Sequence, residues 1–502
     1  MYICIFKIMG LVQRQGIKYS IINWFGILIG ALSIVFVYPL ALEEYGAIRF
    51  FLDTTLFLFP VLSFGIGSVA IRFFPVFEEK SNGHHGYLGL LLLWGGISYI
   101  IFGLIALCLW GHISDFYAKK NPEISNYIWI IFPTSFFYLL NFILNQYVVN
   151  FGRIVIPSLL IDVSQKIVIP ILLVVYIHGY ISLEFMLCAI PGYLFLVSVL
   201  LYLYIQSLGE NFLRIDFSFI DIKMVKNMLY YAVYGVIGGL GFFIVTKLDT
   251  WTVPTYIGLK SNGVYSISAF IAGIMEVPLR GIVIATTPLI SKSWYNENIE
   301  QIKELYQKAS INLFMAGLLL FGTFWVSVEP FFRVVANGEV LESGKILILI
   351  LGVGKLFDMS AGLNNHILSY SNRFYLSYAQ IILSALLGIT VSVLLLPGYG
   401  MVGAALATVA STIFLNLLSL YFNWKYFRIQ PFTMKFVKAF LIGLAAYSLV
   451  SFMPVPANNW WTIVIKSGTF ATFFLLLVLR FRISPELNQA VFSFLEKARK
   501  KF

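Results

Sequence analysis

Charge is what this sequence has least of. Asp, Glu, Lys and Arg make up 11% of its 502 residues, and hydrophobic residues make up 60%. A soluble chain carries about a quarter charged residues. Water cannot solvate the surface such a composition would present, but lipid can, so a soluble two- or three-domain protein of this length is excluded. Cysteine is also scarce. Cys4, Cys108 and Cys188 lie in apolar stretches without metal-ligand spacing, which implies neither a zinc site nor a disulfide framework. No metal or cofactor is expected. Long polar stretches are missing as well, which leaves no room for a soluble catalytic domain, and a non-enzymatic protein is expected. The N-terminal run lacks a small-residue cleavage site and is long enough to span, so no cleaved signal peptide is expected. Met9 offers an alternative start to Met1, because MGLVQRQGIKYS makes a plainer leader.

What is present is a series of long apolar runs. A span needs about 20 mostly apolar residues. That ruler finds about fourteen candidates, near 17–41, 48–74, 87–111, 124–150, 155–178, 183–206, 227–253, 261–289, 309–332, 345–369, 373–396, 401–425, 434–453 and 460–480. Breakers such as Ser81-Asn82-Gly83 and Pro397-Gly398-Tyr399-Gly400 separate them. A β-barrel would show alternating segments of about 10 residues instead. The expectation is an all-α polytopic membrane protein.

The net charge of +11 would point to nucleic acid in a soluble chain. No basic segment here is interleaved with stacking aromatics, so nucleic acid is not an expected partner. The cations instead sort by side. With the N-terminus inside, about 24 of the 34 Lys and Arg residues fall in cytoplasmic connections, about 6 outside and 4 within spans. An even span number then places both termini in the cytoplasm of a bacterial inner membrane. Residues 207–226 and 290–308 mix charge with large apolar residues, as interfacial helices do. The expected division is a six-helix bundle at 1–206, a linker at 207–226, a second six-helix bundle at 227–425, an extra helix pair at 426–480 and a basic tail at 481–502. A weak internal match supports two parallel repeats. Tyr45-Gly46-Ala47-Ile48 and Val264-Tyr265-Ser266-Ile267 open corresponding spans, each followed by an internal proline, Pro60 or Pro278.

Ionisable residues inside apolar runs are the informative ones, since each costs about 2.5–3.5 kcal/mol at a helix centre. They come in opposite-sign sets: Asp162 with Lys166, Glu276 with Arg280, Lys355 with Asp358, and Lys247 with Asp249. Arg49 and Asp53 form a further set near a span end. Local neutralisation accounts for Glu276/Arg280 and Arg49/Asp53. Lys247 and Asp249 are two apart and share no helical face, so they do not simply cancel. A wet cavity with cationic residues suits a phosphate-bearing substrate, with lysine as a point charge. Gly235, Gly238, Gly239 and Gly241 read as close helix packing. Gly352-Val353-Gly354-Lys355 lacks the spacing of a phosphate-binding loop. His84 and His85 read as a solvated loop pair. Prolines within spans favour a moving machine over a static anchor.

Several features together resemble one family. They are the basic leader QRQGIKYSIINW, the motif Glu43-Glu44-Tyr45-Gly46, Lys247-Leu248-Asp249 followed by Ile257-Gly258 and Gly263-Val264-Tyr265-Ser266, and two six-span groups plus two. The chain resembles the polysaccharide-biosynthesis (O-antigen, Wzx-type) flippases of the multidrug/oligosaccharidyl-lipid/polysaccharide exporter superfamily. That resemblance implies two bundles around a central cavity, alternating access with ion coupling, and a polyprenyl-diphosphate-linked oligosaccharide as cargo. It implies membrane lipids and a polysaccharide polymerase or assembly factors as partners. By position, Lys247, Lys355, Lys166 and Arg280 would be substrate-binding, and Asp249, Asp358, Asp162 and Glu276 would serve ion coupling. The rivals are a cation-coupled multidrug antiporter, a lipid II flippase, and a membrane-embedded polymerase or glycosyltransferase. The last would need a large external loop with catalytic groups, and the connections near 112–123 and 333–344 are small.

Overall fold

The computed structural model describes residue 18 and residues 22–120, 122–210, 212–454, 456–485 and 487–489. The alternative starts and most of the basic tail lie outside these residues. Among the described residues every regular element is helical. We number the long helices α1 (Ile22–Leu40), α2 (Leu42–Leu62), α3 (Tyr87–Cys108), α4 (Ile131–Val149), α5 (Val155–Ile177), α6 (Leu183–Ser207), α7 (Ile222–Tyr256) and α8 (Leu259–Gly273). Then follow α9 (Val277–Tyr295), α10 (Ile299–Trp325), α11 (Lys345–Ala361), α12 (Asn364–Tyr370), α13 (Tyr375–Phe427), α14 (Met434–Ser451) and α15 (Asn459–Arg480). Among the described residues twelve helices are long and apolar enough to cross a membrane, or thirteen if the pair α11 and α12, bent by 47°, is one broken span.

α13 counts once among them but has 53 residues. At 1.5 Å per residue it would be about 80 Å long if straight, far more than one bilayer. It is not straight. Gly400 adopts φ 54°, ψ −130°, and the arms fold back on each other. An ideal Cβ on Gly388 would lie 2.3 Å from Ser411 Oγ, and Ser419 Oγ donates to Gln380 Oε1 at 2.9 Å. Those pairs can meet only across a hairpin. The turn is the Pro397-Gly398-Tyr399-Gly400 breaker of the sequence, so α13 supplies two crossings and the chain has room for fourteen.

By contacts the chain groups into two compact units, Met1–Ser266 and Ile267–Phe502. The division at a 207–226 linker rests on the repeat argument instead and remains a proposal.

In the first unit α2 is shorter than the apolar run 48–74 suggests. Pro60 lies in its last turn, and Phe64 and Gly65 take positive φ before a short helix, Ile66–Arg72. α7 packs into that break. The backbone of Ala232 approaches Gly65 so closely that a Cβ there would sit 2.1 Å from its carbonyl oxygen. Gly235 faces Ser68 and Gly239 faces Pro60, so these α7 glycines are packing residues. Lipid tails are as apolar as leucine, so helices in a bilayer associate through close packing rather than water exclusion. Small residues therefore appear where backbones meet.

The same physics joins the two repeat motifs directly. A Cβ on Gly46 would lie 1.9 Å from the Leu259 carbonyl oxygen, and one on Gly263 would lie 2.1 Å from that of Leu42. Asn262 Nδ2 also donates to the Gly46 carbonyl at 2.7 Å. The N-terminal turns of α2 and α8 thus cross reciprocally, Leu42-x-x-x-Gly46 against Leu259-x-x-x-Gly263. This register is offset from the tyrosine and isoleucine match visible in sequence.

Two loop readings are corrected. His84 and His85 are buried, at 3% and 8% exposed, rather than solvated. Gly83, His84, His85 and Gly86 all take left-handed φ, between 49° and 69°, which turns both imidazoles inward. His84 Nε2 pairs with Glu210 Oε2 at 2.9 Å. His85 bridges Asp216 at 3.1 Å and Glu79 at 3.2 Å, and stacks on Phe219 at 3.7 Å. The segment 212–220 that they hold is irregular, and 222–226 begins α7, so 207–226 is not an interfacial helix. Likewise 290–308 is not a separate surface helix. It is the end of α9, a turn at 296–298 and the start of α10.

In the second unit the extra pair α14 and α15 packs on α10. Phe470 and Phe474 are buried with Leu318, Ile442 and Ala446, and Gly322 lets the Phe470 ring approach within 2.1 Å of its ideal Cβ position.

Candidate functional site

The intramembrane charges form different pairs from those their spacing suggests. In the second unit α11 carries Lys355 and Asp358. Gly352 and Gly354 press this helix against Phe321 of α10 and Val409 of α13, at ideal-Cβ distances of 2.3 and 2.7 Å. That close fit turns Lys355 toward Glu276, between α8 and α9, and Nζ donates to Glu276 Oε1. Glu276 Oε2 lies 3.8 Å from Arg280 Nη2. The outcome is a chain of Arg280, Glu276 and Lys355, two cations sharing one carboxylate. Lys355 and Glu276 are mostly buried, at 22% and 25% exposed, while the Arg280 side chain is 78% exposed. Glu276 and Arg280 do not neutralise each other alone, because Lys355 shares the carboxylate.

Asp358 enters a different network. Its Oδ1 accepts from Asn416 Nδ2 at 2.9 Å, and Asn416 Oδ1 accepts from Asn364 Nδ2 at 2.8 Å. Asn364 follows the break between α11 and α12, where Gly362 takes φ 60°. Asn423 Nδ2 donates to the Asn364 carbonyl, and Gln380 Nε2 donates to Asn365 Oδ1, each at 2.8 Å. This ladder satisfies backbone groups that a broken helix leaves open. Sequence reasoning missed it because only ionisable residues were followed. Asn and Gln inside apolar runs were the available signal.

In the first unit Asp249 is 5% exposed. It accepts from the Tyr265 hydroxyl and, at 2.9 Å, from the Thr250 amide. Lys247 is exposed and on another face of α7, as the two-residue spacing requires. On α5, Asp162 sits in a π-helical turn (Leu159–Val163) and accepts from Ser158 Oγ at 3.0 Å. Lys166 Nζ lies 3.4 Å from the ideal Cβ position of Gly26 on α1. Asp53 is buried and pairs with Arg49 at 2.6 Å. Of the eight candidates, Lys355, Glu276 and Arg280 come together, Asp358 bonds an amide ladder, Asp249 bonds Tyr265 and Asp162 bonds Ser158. A cavity of about 280 Å³ in the first unit is lined by Glu43, Glu44, Asn126, Tyr127 and Leu187, and by none of these eight residues.

The fold belongs to a known class of polytopic membrane proteins, that of the lipid II flippases and MATE transporters. The chain superposes on the lipid II flippase MurJ in an inward closed conformation with a TM-score of 0.70, at 16% identity, over 93% of this chain and 99% of the other. An inward-facing multidrug resistance MATE family transporter of the MOP superfamily gives 0.62 at 14% identity, over 82% and 94%. No protein-family profile matches. In sequence, an uncharacterized membrane protein of Methanocaldococcus jannaschii is 23% identical over 237 residues, 46% of this chain. The chain spans about 45% of that relative's length. A second uncharacterized membrane protein of the same organism is 22% identical over 413 residues, 76% of this chain and 90% of the relative.

Proposed function

We propose that the protein is a flippase that moves a polyprenyl-diphosphate-linked oligosaccharide, a surface-polysaccharide repeat unit, across the cytoplasmic membrane. Transport is by alternating access, coupled to an ion gradient, with both termini in the cytoplasm. The observation that carries this reading is the Arg280–Glu276–Lys355 chain. In it a carboxylate occupies the place between two cations that a phosphate oxygen would take. A diphosphate carries more charge than Glu276 and would compete for both cations. A charged headgroup cannot cross hydrocarbon unaided, so cations exposed within spans supply what the cargo needs. Lys247 and Lys166 are the further cationic candidates, and Asp249, Asp358 and Asp162 are carboxylates suited to the coupling ion. Coverage supports the choice within the fold class, since the lipid II flippase aligns with 93% of this chain and the MATE transporter with 82%. The MATE likeness keeps a cation-coupled multidrug antiporter as the second reading.

The test is a deletion strain. Polyprenyl-linked oligosaccharide should accumulate with its glycan facing the cytoplasm, and surface polysaccharide should be lost. The wild-type gene should restore both, and Lys355→Ala should restore neither at equal expression. Normal surface polysaccharide with raised sensitivity to cationic drugs would favour the antiporter.

A further inference from the structure

From Met359 to Pro485 the sequence contains no Asp or Glu, yet it contains eight Lys and Arg residues. Three of these cations gather at one end of the second unit, and aromatic rings hold each of them. The Arg373 guanidinium lies 4.1 Å from the centre of the Tyr426 ring, and its Nη1 donates to the Tyr375 hydroxyl at 3.2 Å. Lys425 Nζ stands 5.4 Å from the Tyr421 ring and 5.5 Å from the Tyr426 ring. Arg428 lies 5.3 Å from Trp424, and its left-handed φ of 56° ends α13 there.

Among the described residues none of the three forms an ion pair. The carboxylates on the neighbouring start of α10, Glu300 and Glu304, pair with Lys303 at 3.4 Å and Lys308 at 2.6 Å. That helix reaches this end of the unit, because Gln307 Nε2 donates to the Gln430 carbonyl at 3.2 Å. The rings around the cations face outward. Tyr375 and Trp424 are about half exposed, as is Phe374 beside Arg373. Exposed Trp and Tyr at the end of a spanning helix mark the level of lipid headgroups. Cations fixed over rings lose little freedom when an anion arrives, and arginine presents a fork that fits phosphate.

We propose that Arg373, Lys425 and Arg428, with Tyr375 and Tyr426, bind the headgroup phosphate of an anionic glycerophospholipid of the adjoining leaflet. On the orientation proposed above this is the cytoplasmic leaflet, whose negative surface attracts such clusters. Among the described residues none pairs with these cations, and the lipid supplies the counter-charge. The inference does not depend on what the protein transports.

Native mass spectrometry of the full chain tests it, with phosphatidylglycerol and phosphatidylcholine of identical acyl chains as probes. Wild type should retain phosphatidylglycerol about tenfold better than phosphatidylcholine, the contrast that fixed cations make with a zwitterionic headgroup. Arg373→Gln/Lys425→Gln/Arg428→Gln should abolish that preference. Lys435→Gln/Lys438→Gln/Arg482→Gln, which removes the same charge elsewhere, should keep it. If the triple variant does not fold, the single Lys425→Gln should still lower the preference several-fold. Equal retention of both lipids, or equal loss in both triple variants, would overturn the proposal. Displacement of phosphatidylglycerol by an equimolar polyprenyl diphosphate, but not by inorganic diphosphate, would assign the site to a transported lipid and overturn it too.

Discussion

Glu276 is the residue on which two cations depend. Its replacement by Gln keeps the shape but leaves Lys355 charged and mostly buried. The cost is expected to be about 1–3 kcal/mol, read as a lowered thermal midpoint of the purified protein. Lys355→Met added to Glu276→Gln should recover part of that loss, because a matched apolar replacement removes the mostly buried charge. A double variant no better than the single one would show that the pair carries no coupling. The buried histidines make a second residue-scale prediction. Ser218 and His85 hold the Asp216 carboxyl down to about 2, and Ser81 and His85 lower Glu79. Carboxyls depressed on folding stabilise above their unfolded value, near about 4, and release that stabilisation as pH falls. For Asp216 the window runs from about 4 down to about 2. Pepsin should therefore cut within 212–220 much faster at pH 2 than at pH 4. Asp216→Asn should already be cut rapidly at pH 4, and a pH-independent wild-type rate would contradict the clasp.

Elements meet where side chains are missing. A methyl on Gly46 or Gly263 would enter the carbonyl of the opposite helix. Gly46→Ala and Gly263→Ala should each destabilise by about 1–3 kcal/mol. The double variant should cost less than the sum, because once the helices have separated the second methyl has space. Additive costs would mean that the two glycines act at independent contacts. Gly400 works differently, since its backbone angles are available only to glycine. Gly400→Ala should lower stability by ~1–3 kcal/mol, seen as a fall in thermal midpoint, whereas Gly398→Ala, with open space around it, should change little. The hairpin turn of α13 was legible because proline and glycine interrupt an apolar run. The breaks at Phe64-Gly65 and Gly362 were not, because each is made by a neighbour. Ala232 packs into the first, and Ser310 Oγ lies 2.3 Å from where a Cβ on Gly362 would be.

For the whole molecule, on the orientation proposed above, with fourteen crossings and both termini in the cytoplasm, the loop bearing His84 and His85 and the segment 371–374 would be cytoplasmic, and the connection near 112–120 would be external. Single cysteines should report this in intact cells. His112→Cys should react with an impermeant maleimide, and Asn372→Cys should react only after permeabilisation. Labelling of both from outside would break the fourteen-crossing count. The sequence alone determined that the protein lives in lipid, that it is helical, and where most spans lie, because these follow from composition and run length. It also located the residues that carry charge into the membrane. Only the tertiary structure decided their partners. Lys355 donates to Glu276, seventy-nine residues away, because packing at Gly352 and Gly354 sets where α11 points its side chains. Asp358 turns instead to an amide ladder that no charge count reveals. Spacing along a chain fixes which residues share a helical face, but which face meets which is settled by how closely the backbones can approach.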